Sequence, residues 1–512
     1  MRTISIHNTL TGRKEPFVPV EAGKVKMYVC GPTVYDYIHV GNARPMIFFD
    51  VVRRFFIYSG YDVTYVVNFT DVDDKLIKRS EETGVPVPEL AERFIAHYLE
   101  DAKALFVREA DIHPRVTENI DAIIGFIGQL VEKGAAYESG GDVYFRTSAF
   151  PAYGKLSGQK TEQLQYGIRV QVDERKEDPR DFVLWKKAKP GEICWDSPWG
   201  KGRPGWHIEC SAMARRYLGD TLDIHGGGLD LTFPHHECEI AQSETLTGKP
   251  LARYWMHNGY IHIRDEKMSK SLGNVINVRD LLKDWRPEVI RFFMLSTHYR
   301  NPLNFSDEGL ARAKGAVERI ENCLHALRHR LTLAEAAAEN GGETASGAGG
   351  RAPAGGADGA GGPGPEEAAS AANGPHPAAG APDPAEAAYL AKLPELEESF
   401  ASRMADDFNT PDAISAVFEW VSETNLLLKR DRLGRDVLQA ALEWFDRVNG
   451  VLGIAGLGEG DLLDEEVERL IAERQEARRL KNWALADAIR DRLAARGIVL
   501  EDTPQGVRWR RK

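Results

Sequence analysis

The chain has 512 residues, of which 43% are hydrophobic and 28% are charged, a composition typical of globular proteins with several domains. It contains 65 lysines and arginines against 77 aspartates and glutamates, which gives a formal net charge of −12 at pH 7. This charge excludes a generally basic nucleic-acid coat protein, although a local basic surface remains compatible with it.

We expect neither a membrane span nor a secretory signal. The apolar runs at 47–49 and 55–57 are interrupted by charges within a few residues, far short of the ~20 apolar residues of a membrane span. Residues 1–7 lack the apolar core of a signal peptide. The five cysteines are scattered and odd in number, which argues against a disulfide framework. The sequence therefore predicts a protein of the reducing cytoplasm with no membrane partner.

The N-terminal third alternates strand-like and helix-like patterns. Apolar runs at 26–30 and 63–67 predict strands, and apolar residues at three- and four-residue spacing predict helices at 43–58 and about 85–106. This alternation predicts a parallel α/β sheet, whose ligands bind at the carboxyl ends of the strands. Cys30 falls at such an end.

The rest of the chain divides by pattern. Residues 111–204 break the α/β rhythm with a helix, a hairpin and a Trp/Lys/Pro-rich stretch, so we interpret them as an insertion, after which the rhythm resumes over 205–262. A loop within 263–310 leads into the helical sequence of 311–455. Residues 341–384 are almost entirely Gly, Ala, Pro, Ser and Glu, which cannot bury enough apolar surface to offset the entropy of ordering. They predict a disordered insert.

The last module, residues 458–512, differs from the rest in charge. Residues 469–512 contain 12 Arg and Lys but only 6 Asp and Glu, and they include Trp483 and Trp509. Basic residues interleaved with aromatic ones suit a surface that contacts phosphates and stacks bases. A solvated helix with a charged tail is the alternative interpretation.

A candidate metal site combines residues from distant parts of the chain. His235 and Glu239 lie four apart in a segment where Pro234 favours the start of a helix, so both side chains would project from one face. Cys30 and Cys210 could complete a set of two sulfurs, one nitrogen and one oxygen. Thiolates with imidazole favour Zn²⁺ over Mg²⁺ or Ca²⁺.

Two alternatives to this site stay open. Cys238 could be a ligand, but it lies one residue before Glu239 and on a different side of the helix from His235. Alternatively, the cysteines are small buried hydrophobic residues and the histidines form hydrogen bonds in the core. No CxxC spacing is present to favour the metal.

Two further segments suit phosphate binding. His39 and Asn42 follow a strand and a turn and open a helix, whose N-terminus attracts anions, although a capping turn explains them equally well. Residues 267–271 read KMSKS and place Lys267 and Lys270 in a cationic loop suited to a polyphosphate. A solvated surface loop is the alternative.

Taken together and in this order, the segments resemble cysteinyl-tRNA synthetase, a class I aminoacyl-tRNA synthetase. Residues 39–42 read HVGN and resemble the class I HIGH signature, and residues 267–271 match the KMSKS signature fully. The segments that also fit the pattern of the cysteine enzyme are MYVCGPTVYD at 27–36, NFTDVDDK at 68–75, GWHIECSAM at 205–213, DIHGGG at 223–228 and FPHHE at 233–237.

The resemblance implies an α/β fold with a class I Rossmann-like catalytic domain and an inserted connective subdomain, followed by an α-helical bundle and a small anticodon-binding domain. The implied boundaries are 1–110 and 205–262 for the catalytic domain, 111–204 for the insertion, 263–310 for the KMSKS-loop and stem-contact region, 311–455 for the bundle and 458–512 for the anticodon-binding domain.

The resemblance also implies site residues. One zinc ion per chain would be held by Cys30, Cys210, His235 and Glu239. The amino-acid pocket would use Gly31, Thr70, Trp206 and His225. ATP, with Mg²⁺, would contact His39, Asn42, Lys267 and Lys270. The anticodon would contact Arg478, Trp483, Asp487 and Asp502.

The implied reaction is ATP-dependent activation of L-cysteine to cysteinyl-adenylate and its transfer to the 3′ end of tRNA(Cys) by a monomeric enzyme, with zinc binding the substrate thiolate to discriminate against serine. The nearest alternative is the cysteine:aminosugar ligase of mycothiol synthesis, a family that lacks the long C-terminal extension. A zinc hydrolase built around 235–237 would leave KMSKS unexplained, and a simple RNA-binding protein would leave the metal set unexplained.

One residue departs from the HIGH signature. Asn42 stands where the signature has its second histidine. An asparagine side chain donates a hydrogen bond to a phosphate but does not titrate. We therefore expect a tolerated variant that cannot supply an imidazolium.

Overall fold

The structure, a computed structural model, describes residues 2–159, 175–263, 266–267, 275–343, 383–456, 460–495, 498–503 and 506–511. The chain forms two compact units. The larger consists of Met1–Glu318, Ser399–Ala416 and Val448–Leu462, and the smaller of Arg319–Glu398, Val417–Arg447 and Leu463–Lys512. No helix within the described segments is long and apolar enough to cross a membrane.

Strands and helices alternate as far as residue 305, and the chain beyond it is mainly helical. The strands as far as residue 305 are β1 (Ser5–Asn8), β2 (Arg13–Pro16), β3 (Lys24–Val29), β4 (Asp62–Val67), β5 (Ala136–Ser139), β6 (Asp142–Phe145), β7 (Phe182–Lys187), β8 (Gly202–Pro204), β9 (Leu222–Gly228), β10 (Ala252–Asn258), β11 (Ile261–Ile263), β12 (Glu266–Lys267) and β13 (Leu303–Phe305). The helices over the same range are α1 (Val40–Tyr58), α2 (Asp74–Thr83), α3 (Val87–Ala104), α4 (Ile120–Glu132), α5 (Trp206–Leu218), α6 (Glu237–Thr247), α7 (Val278–Asp284) and α8 (Pro287–Leu295). They are followed by α9 (Asp307–Glu343), α10 (Pro384–Ala405), α11 (Thr410–Leu427), α12 (Arg435–Leu452), α13 (Gly460–Arg479), α14 (Trp483–Ala495), β14 (Ile498–Thr503) and β15 (Gly506–Arg511).

A parallel sheet forms the centre of the larger unit. Its strand order is β10-β9-β3-β4, and all neighbouring pairs are parallel. Helix α1 connects β3 to β4 and packs on the sheet, so closely that a Cβ added to Gly226 of β9 would lie 2.4 Å from Cζ of Phe49. The predicted parallel α/β sheet is therefore confirmed.

The elements predicted for the N-terminal third also agree with the structure. The strands predicted at 26–30 and 63–67 correspond to β3 and β4, and the helices predicted at 43–58 and 85–106 correspond to α1 and α3. These segments combine strong periodicity with apolar residues that are buried, which is the situation in which sequence patterns are most informative.

Between β4 and β9 the chain forms a second, antiparallel sheet of order β5-β6-β7-β8. The helix and hairpin predicted in this segment are α4 and the pair β5–β6. Trp185 of β7 is completely buried. A Cβ added to Gly205 would lie 2.2 Å from the Val183 carbonyl oxygen, so glycine permits the tight passage from β8 into α5. The antiparallel sheet thereby fixes where α5 begins.

The smaller unit is helical and ends in a hairpin. Trp420 and Trp444 are completely buried and stack with their ring centroids 5.5 Å apart. Nearer the C-terminus, α13, α14 and β14 share an apolar cluster that includes Leu470, Ile489 and Ile498. The C-terminal residues therefore have an apolar core of their own.

The predicted disordered insert lies mainly outside the described residues. Of the span 341–384, residues 344–382 are not described. Helix α9 continues to Glu343 and α10 begins at Pro384, so each helix extends slightly into the predicted insert.

A buried ion pair joins α1 to α8. Arg291 is completely buried, and its Nη2 donates a hydrogen bond to Asp50 Oδ2 at 2.6 Å. Its Nε donates to the carbonyl oxygen of Leu452 at 2.7 Å. Burial lowers the pKa of Arg291 to about 10, so the guanidinium remains charged at neutral pH. Asp50 also pairs with Arg54 at 2.9 Å.

Replacing Arg291 with Met should lower the free energy of unfolding by roughly 2 kcal/mol, because it removes one of the two charge partners of the buried Asp50 carboxylate and the donor to the Leu452 carbonyl. Urea unfolding of the full chain measures this change. The matched control is Arg93→Met, which removes an exposed i,i+4 pair with Glu89 and should leave the unfolding curve unchanged. Equal curves for both variants would contradict the proposed contribution of the buried pair.

Candidate functional site

The carboxyl ends of the parallel strands and the N-terminus of α1 surround a cavity of about 340 Å³. Cys30 and Gly31 directly follow β3, while Gly228 and Asn258 end β9 and β10, and all four line this cavity. The predicted site residues in the lining are Cys30, Gly31, His39, Asn42 and Trp206. Residues predicted to bind the metal, the amino acid and ATP therefore meet at one edge of the sheet.

Four predicted metal ligands come together beside the cavity. Cys30 Sγ lies 3.6 Å from Cys210 Sγ and 3.5 Å from Glu239 Oε1, and His235 Nε2 lies 3.1 Å from the same Glu239 oxygen. All four donor atoms are within 4.8 Å of one another. A tetrahedral ion with bonds of ~2.0–2.3 Å holds its donors roughly 3.3–3.8 Å apart. The spacing is therefore suitable for a metal ion.

The helical backbone that carries His235 and Glu239 follows an irregular residue. Within Thr232–His236 only Phe233 has non-helical angles (φ −140°, ψ 132°), and after it the backbone continues into α6, which is assigned from Glu237. His235 and Glu239 therefore face each other, as the four-residue spacing predicted. This agrees with a helical segment that starts at Pro234.

Cys238, the alternative ligand, points elsewhere. Its Sγ lies 3.3 Å from the hydroxyl of Tyr153 in the insertion. Burial raises the pKa of Cys238, so its thiol stays protonated. Cys238 is in neither of the potential metal-binding groups found among the described residues.

Burial and contacts among these side chains shift the pKa values of all four donors. The hydrogen bond from the Cys30 thiol lowers the pKa of Cys210 to about 6, while burial raises the pKa of Cys30. Burial opposes a charge on His235, but Glu239 and Cys210 outweigh it and raise the pKa of His235 to about 10. Burial also opposes a charge on Glu239, yet His225 and His235 hold its pKa well below the usual range. The cluster thus carries anionic donors in a buried position.

Two further buried histidines reach the same donors. His225 Nε2 lies 2.8 Å from Glu239 Oε2, and His236 Nε2 lies 3.3 Å from Cys30 Sγ. Neither side chain is exposed. His225, which was predicted to form part of the amino-acid pocket, does not line the 340 Å³ cavity in this structure. From the sequence, His236 was considered only in the zinc hydrolase alternative at 235–237 and not as part of the four-residue metal site.

Gly31 marks a close approach between β3 and β4. Its N–H donates to Asn68 Oδ1 at 2.9 Å, and a Cβ at this position would lie 1.7 Å from the Asn68 carbonyl oxygen. Any side chain would therefore force the two strand ends apart. Asn68 was not predicted as a site residue, and a buried asparagine at a strand end is the signal that could have identified it.

Thr70 and Trp206 occupy different positions relative to the cavity. Thr70 is buried, and its hydroxyl donates to Glu209 Oε2 at 2.8 Å rather than facing the cavity. Burial raises the pKa of Glu209 well above its usual range. Trp206 is 42% exposed, and its ring stacks on His235 with centroids 4.4 Å apart. The indole therefore lies between the donor cluster and the cavity.

His39 and Asn42 meet at the start of α1. The Asn42 side chain accepts a hydrogen bond from the His39 N–H at 3.2 Å, and the Asn42 N–H donates to the His39 carbonyl oxygen at 2.8 Å. The first turn of α1 contains no acidic residue, so no carboxylate of the helix itself offsets the positive end of its dipole, while Asp36 and Asp230 line the cavity. Asn42 thus accepts a hydrogen bond at the start of α1, and a histidine at this position would have to accept it instead.

The two segments predicted to bind phosphate adjoin through their backbones. The Val40 N–H donates to the Ile276 carbonyl at 3.0 Å, and the Val278 N–H donates to the Ile38 carbonyl at 3.0 Å. The chain that leaves the KMSKS segment is therefore anchored on the residues that flank His39. Lys267 ends β12, whose backbone pairs with β11, and Lys270 lies outside the described residues.

The predicted anticodon residues lie on three consecutive elements of the smaller unit. Arg478 is in the last turn of α13, and Trp483 is the first residue of α14, 58% exposed. Asp487 follows Trp483 at i+4 on the same helix and pairs with Arg490 at 3.3 Å. Asp502 lies in β14, where its backbone pairs with Val507.

Sequence comparisons agree with this arrangement. The profile of the class I (C) tRNA synthetase catalytic domain matches residues 16–315, the DALR domain matches 399–456, and the cysteinyl-tRNA ligase anticodon binding domain matches 461–510. The cysteine–tRNA ligase of Anoxybacillus flavithermus is 54% identical over 99% of this chain and 100% of its own length. That of Geobacillus thermodenitrificans is 53% identical over 100% of both chains.

Solved structures share the fold. Mycobacterium tuberculosis methionyl-tRNA synthetase in complex with methionyl-adenylate superposes with a TM-score of 0.54 at 16% identity, covering 84% of this chain and 92% of that chain. The ternary complex of Agrobacterium radiobacter LeuRS with tRNA and LeuAMS gives 0.56 at 11% identity, covering 86% and 85%. The fold is that of a class I aminoacyl-tRNA synthetase. With full-length relatives above 50% identity, the chain belongs to the cysteine–tRNA ligase family.

Replacing Gly31 with Ala should lower the free energy of unfolding by about 1–3 kcal/mol, because the new methyl group meets the Asn68 carbonyl and forces β3 from β4. Scanning calorimetry would record this as a lower melting temperature. Gly128→Ala in α4 is the control, since a Cβ there meets nothing within 4 Å and alanine favours the helix. A Gly31→Ala variant as stable as that control would show that the strand ends tolerate a side chain.

Proposed function

We propose that this chain activates L-cysteine with ATP and transfers the cysteinyl group to the 3′ end of tRNA(Cys). The observation that carries the proposal is the cluster of two cysteines, a histidine and a glutamate directly beside the cavity at the N-terminus of α1. The full-length similarity to cysteine–tRNA ligases supports the same substrates.

Adenylate formation needs no protein nucleophile. The cysteine carboxylate attacks the α-phosphorus of ATP, a bond to the bridging oxygen breaks, and pyrophosphate leaves with that electron pair. Catalysis is then largely positioning and stabilisation of the phosphate charge. We assign the phosphate contacts to His39 and Asn42 at the positive end of α1 and to Lys267 and Lys270, with Mg²⁺ accompanying ATP.

In the second step a terminal ribose hydroxyl of tRNA attacks the acyl carbon of the adenylate, and AMP leaves. We propose that the amino-acid part is held near Gly31 and Trp206, with Thr70 and His225 in supporting positions. The exposed indole of Trp206 is well placed to cover a small substrate next to the donor cluster, because it lines the cavity and stacks on His235.

We propose that Cys30, Cys210, His235 and Glu239 hold one zinc ion per chain. The donor set of two sulfurs, one nitrogen and one oxygen fits zinc better than Mg²⁺ or Ca²⁺, and its spacing fits tetrahedral coordination. When bound, zinc supplies a site that prefers a thiolate over the neutral hydroxyl of serine, a discrimination that a shape-matched pocket achieves by only ~10²-fold.

The remaining assignments concern the acceptor and the domains. We propose the catalytic domain at 1–110 and 205–262, the insertion at 111–204, and the stem-contact region at 263–310. A bundle at 311–455 and an anticodon-binding domain at 458–512 follow, in which Arg478, Trp483, Asp487 and Asp502 contact the anticodon. The anticodon-domain match at 461–510 supports tRNA rather than an amino sugar as acceptor. A monomeric, cytoplasmic enzyme is part of the proposal.

Replacing Lys270 with Ala should lower cysteine-dependent ATP–pyrophosphate exchange by about 10²-fold or more, because it removes a charge that stabilises the phosphates in the transition state. Binding of tRNA should remain nearly unchanged. Lys283→Ala is the matched control, since Lys283 is exposed in α7 and pairs with Asp280. Normal exchange by the Lys270 variant would refute its assigned role.

Removing the metal should weaken the preference for cysteine over serine. We expect that the ratio of the two exchange rates falls toward the ~10²-fold that a shape-matched pocket provides, and that added Zn²⁺ restores it. Dialysis against a chelator, with metal quantification before and after, makes the measurement. A metal-free chain with undiminished preference would contradict the role of the metal.

A further inference from the structure

The donor cluster contains a second, overlapping set of ligand atoms. Cys30, His225, His236 and Glu239 also bring one donor atom each to within 4.8 Å of one another. This set shares Cys30 and Glu239 with the first set and replaces Cys210 and His235 by two imidazoles. Its three members other than Cys30 are all buried.

Distances within the second set lie on both sides of the roughly 3.3–3.8 Å of tetrahedral coordination. His236 Nε2 lies 3.3 Å from Cys30 Sγ and 3.9 Å from Glu239 Oε1, and His225 Nε2 lies 2.8 Å from Glu239 Oε2. Glu239 Oε1 also faces Cys30 and His235. Oε1 therefore borders both sets, and Oε2 faces His225 of the second set.

A hydrogen-bonded chain orients His236 for ligation. His236 Nδ1 lies 2.8 Å from His257 Nε2, and His257 Nδ1 lies 2.8 Å from Thr9 Oγ1. When His257 carries its proton on Nδ1 and donates it to Thr9, its Nε2 accepts the proton of His236 Nδ1. The Nε2 lone pair of His236 is then directed toward Cys30. An outer partner on the far nitrogen is a common feature of metal-binding histidines.

We propose that the site offers a metal ion two alternative positions, one on Cys30, Cys210, His235 and Glu239 and a second on Cys30, His225, His236 and Glu239. The proposal rests on the metal-binding part of the proposed function. A single ion occupies one position at a time, because both positions require the Cys30 sulfur. The first position has two sulfurs and is preferred by zinc, and the second accepts the ion when Cys210 is lost.

The test uses the full chain loaded with Co²⁺, whose absorption reports cobalt–thiolate bonds. Cys210→Ser should still bind about one cobalt per chain, with a thiolate-to-cobalt band roughly half as intense, because one of two sulfurs is gone. A matched pair of double variants then distinguishes the positions. Cys210→Ser/His235→Gln should retain the metal, and Cys210→Ser/His236→Gln should bind it at least ~10-fold more weakly.

If the His236 double variant binds cobalt as tightly as the His235 double variant, or more tightly, the second position is overturned. If the His236 double variant does not fold by circular dichroism, Cys210→Ser/His225→Gln removes the other imidazole and should show the same loss. Cys210→Ser/His113→Gln is the control for removing a histidine, since His113 bonds the Val67 carbonyl and is in neither set. If that control also loses the metal, the loss in the other variants reflects a less stable chain and not a missing ligand. That result also overturns the proposal.

The zinc content of the wild-type chain distinguishes failure of the proposed metal site from failure of the second position alone. About one zinc per wild-type chain supports the proposed metal site, and a wild-type chain that binds none refutes it. One zinc in the wild type together with complete loss in Cys210→Ser refutes the second position alone.

Discussion

At one edge of the parallel sheet, the structure has to stabilise anionic side chains that are buried in the interior. Glu239 is completely buried and Cys210 nearly so, and an unpaired buried charge costs several kcal/mol. The larger unit meets this cost with imidazoles on each side of the carboxylate, His225 on Oε2 and His235 on Oε1. A bound cation would neutralise the same anionic groups. The proposed metal binding and the stability of this edge therefore involve the same residues.

Sheet register makes this cluster possible. Cys30 follows β3, the central neighbour of both β4 and β9, so residues about 180 and 209 positions away in the chain reach its sulfur. Gly31 allows the strand ends to approach, and the N-terminus of α1 opens beside them. The two segments proposed to contact ATP are attached at the same edge by backbone hydrogen bonds between residues 38–40 and 276–278. One strand order thus brings the proposed contacts for ATP and for the amino acid together.

The sequence was most informative where periodicity and burial coincide. The alternation of strands and helices in the N-terminal third and the four donors could be predicted, because strand ends and i,i+4 spacing define positions without tertiary detail. The turn of Thr70 toward Glu209, the kink at Phe233 before α6 and the approach of His236 to Cys30 could not. Each depends on which of several neighbouring polar groups packs closest, which a one-dimensional pattern does not encode.

Asn42 combines a local structural contact with a proposed contact to phosphate. At the third position of α1 its carbonyl oxygen accepts the His39 N–H, so the side chain is already engaged in helix capping. Its amide nitrogen remains the group that can donate to a phosphate, without needing a proton that depends on pH. An asparagine here therefore combines a fixed cap with a permanent donor, whereas histidine would couple the same contact to its own titration. In the proposed ATP site, asparagine in place of histidine would thus remove the pH dependence of the phosphate contact and keep the hydrogen-bond donor.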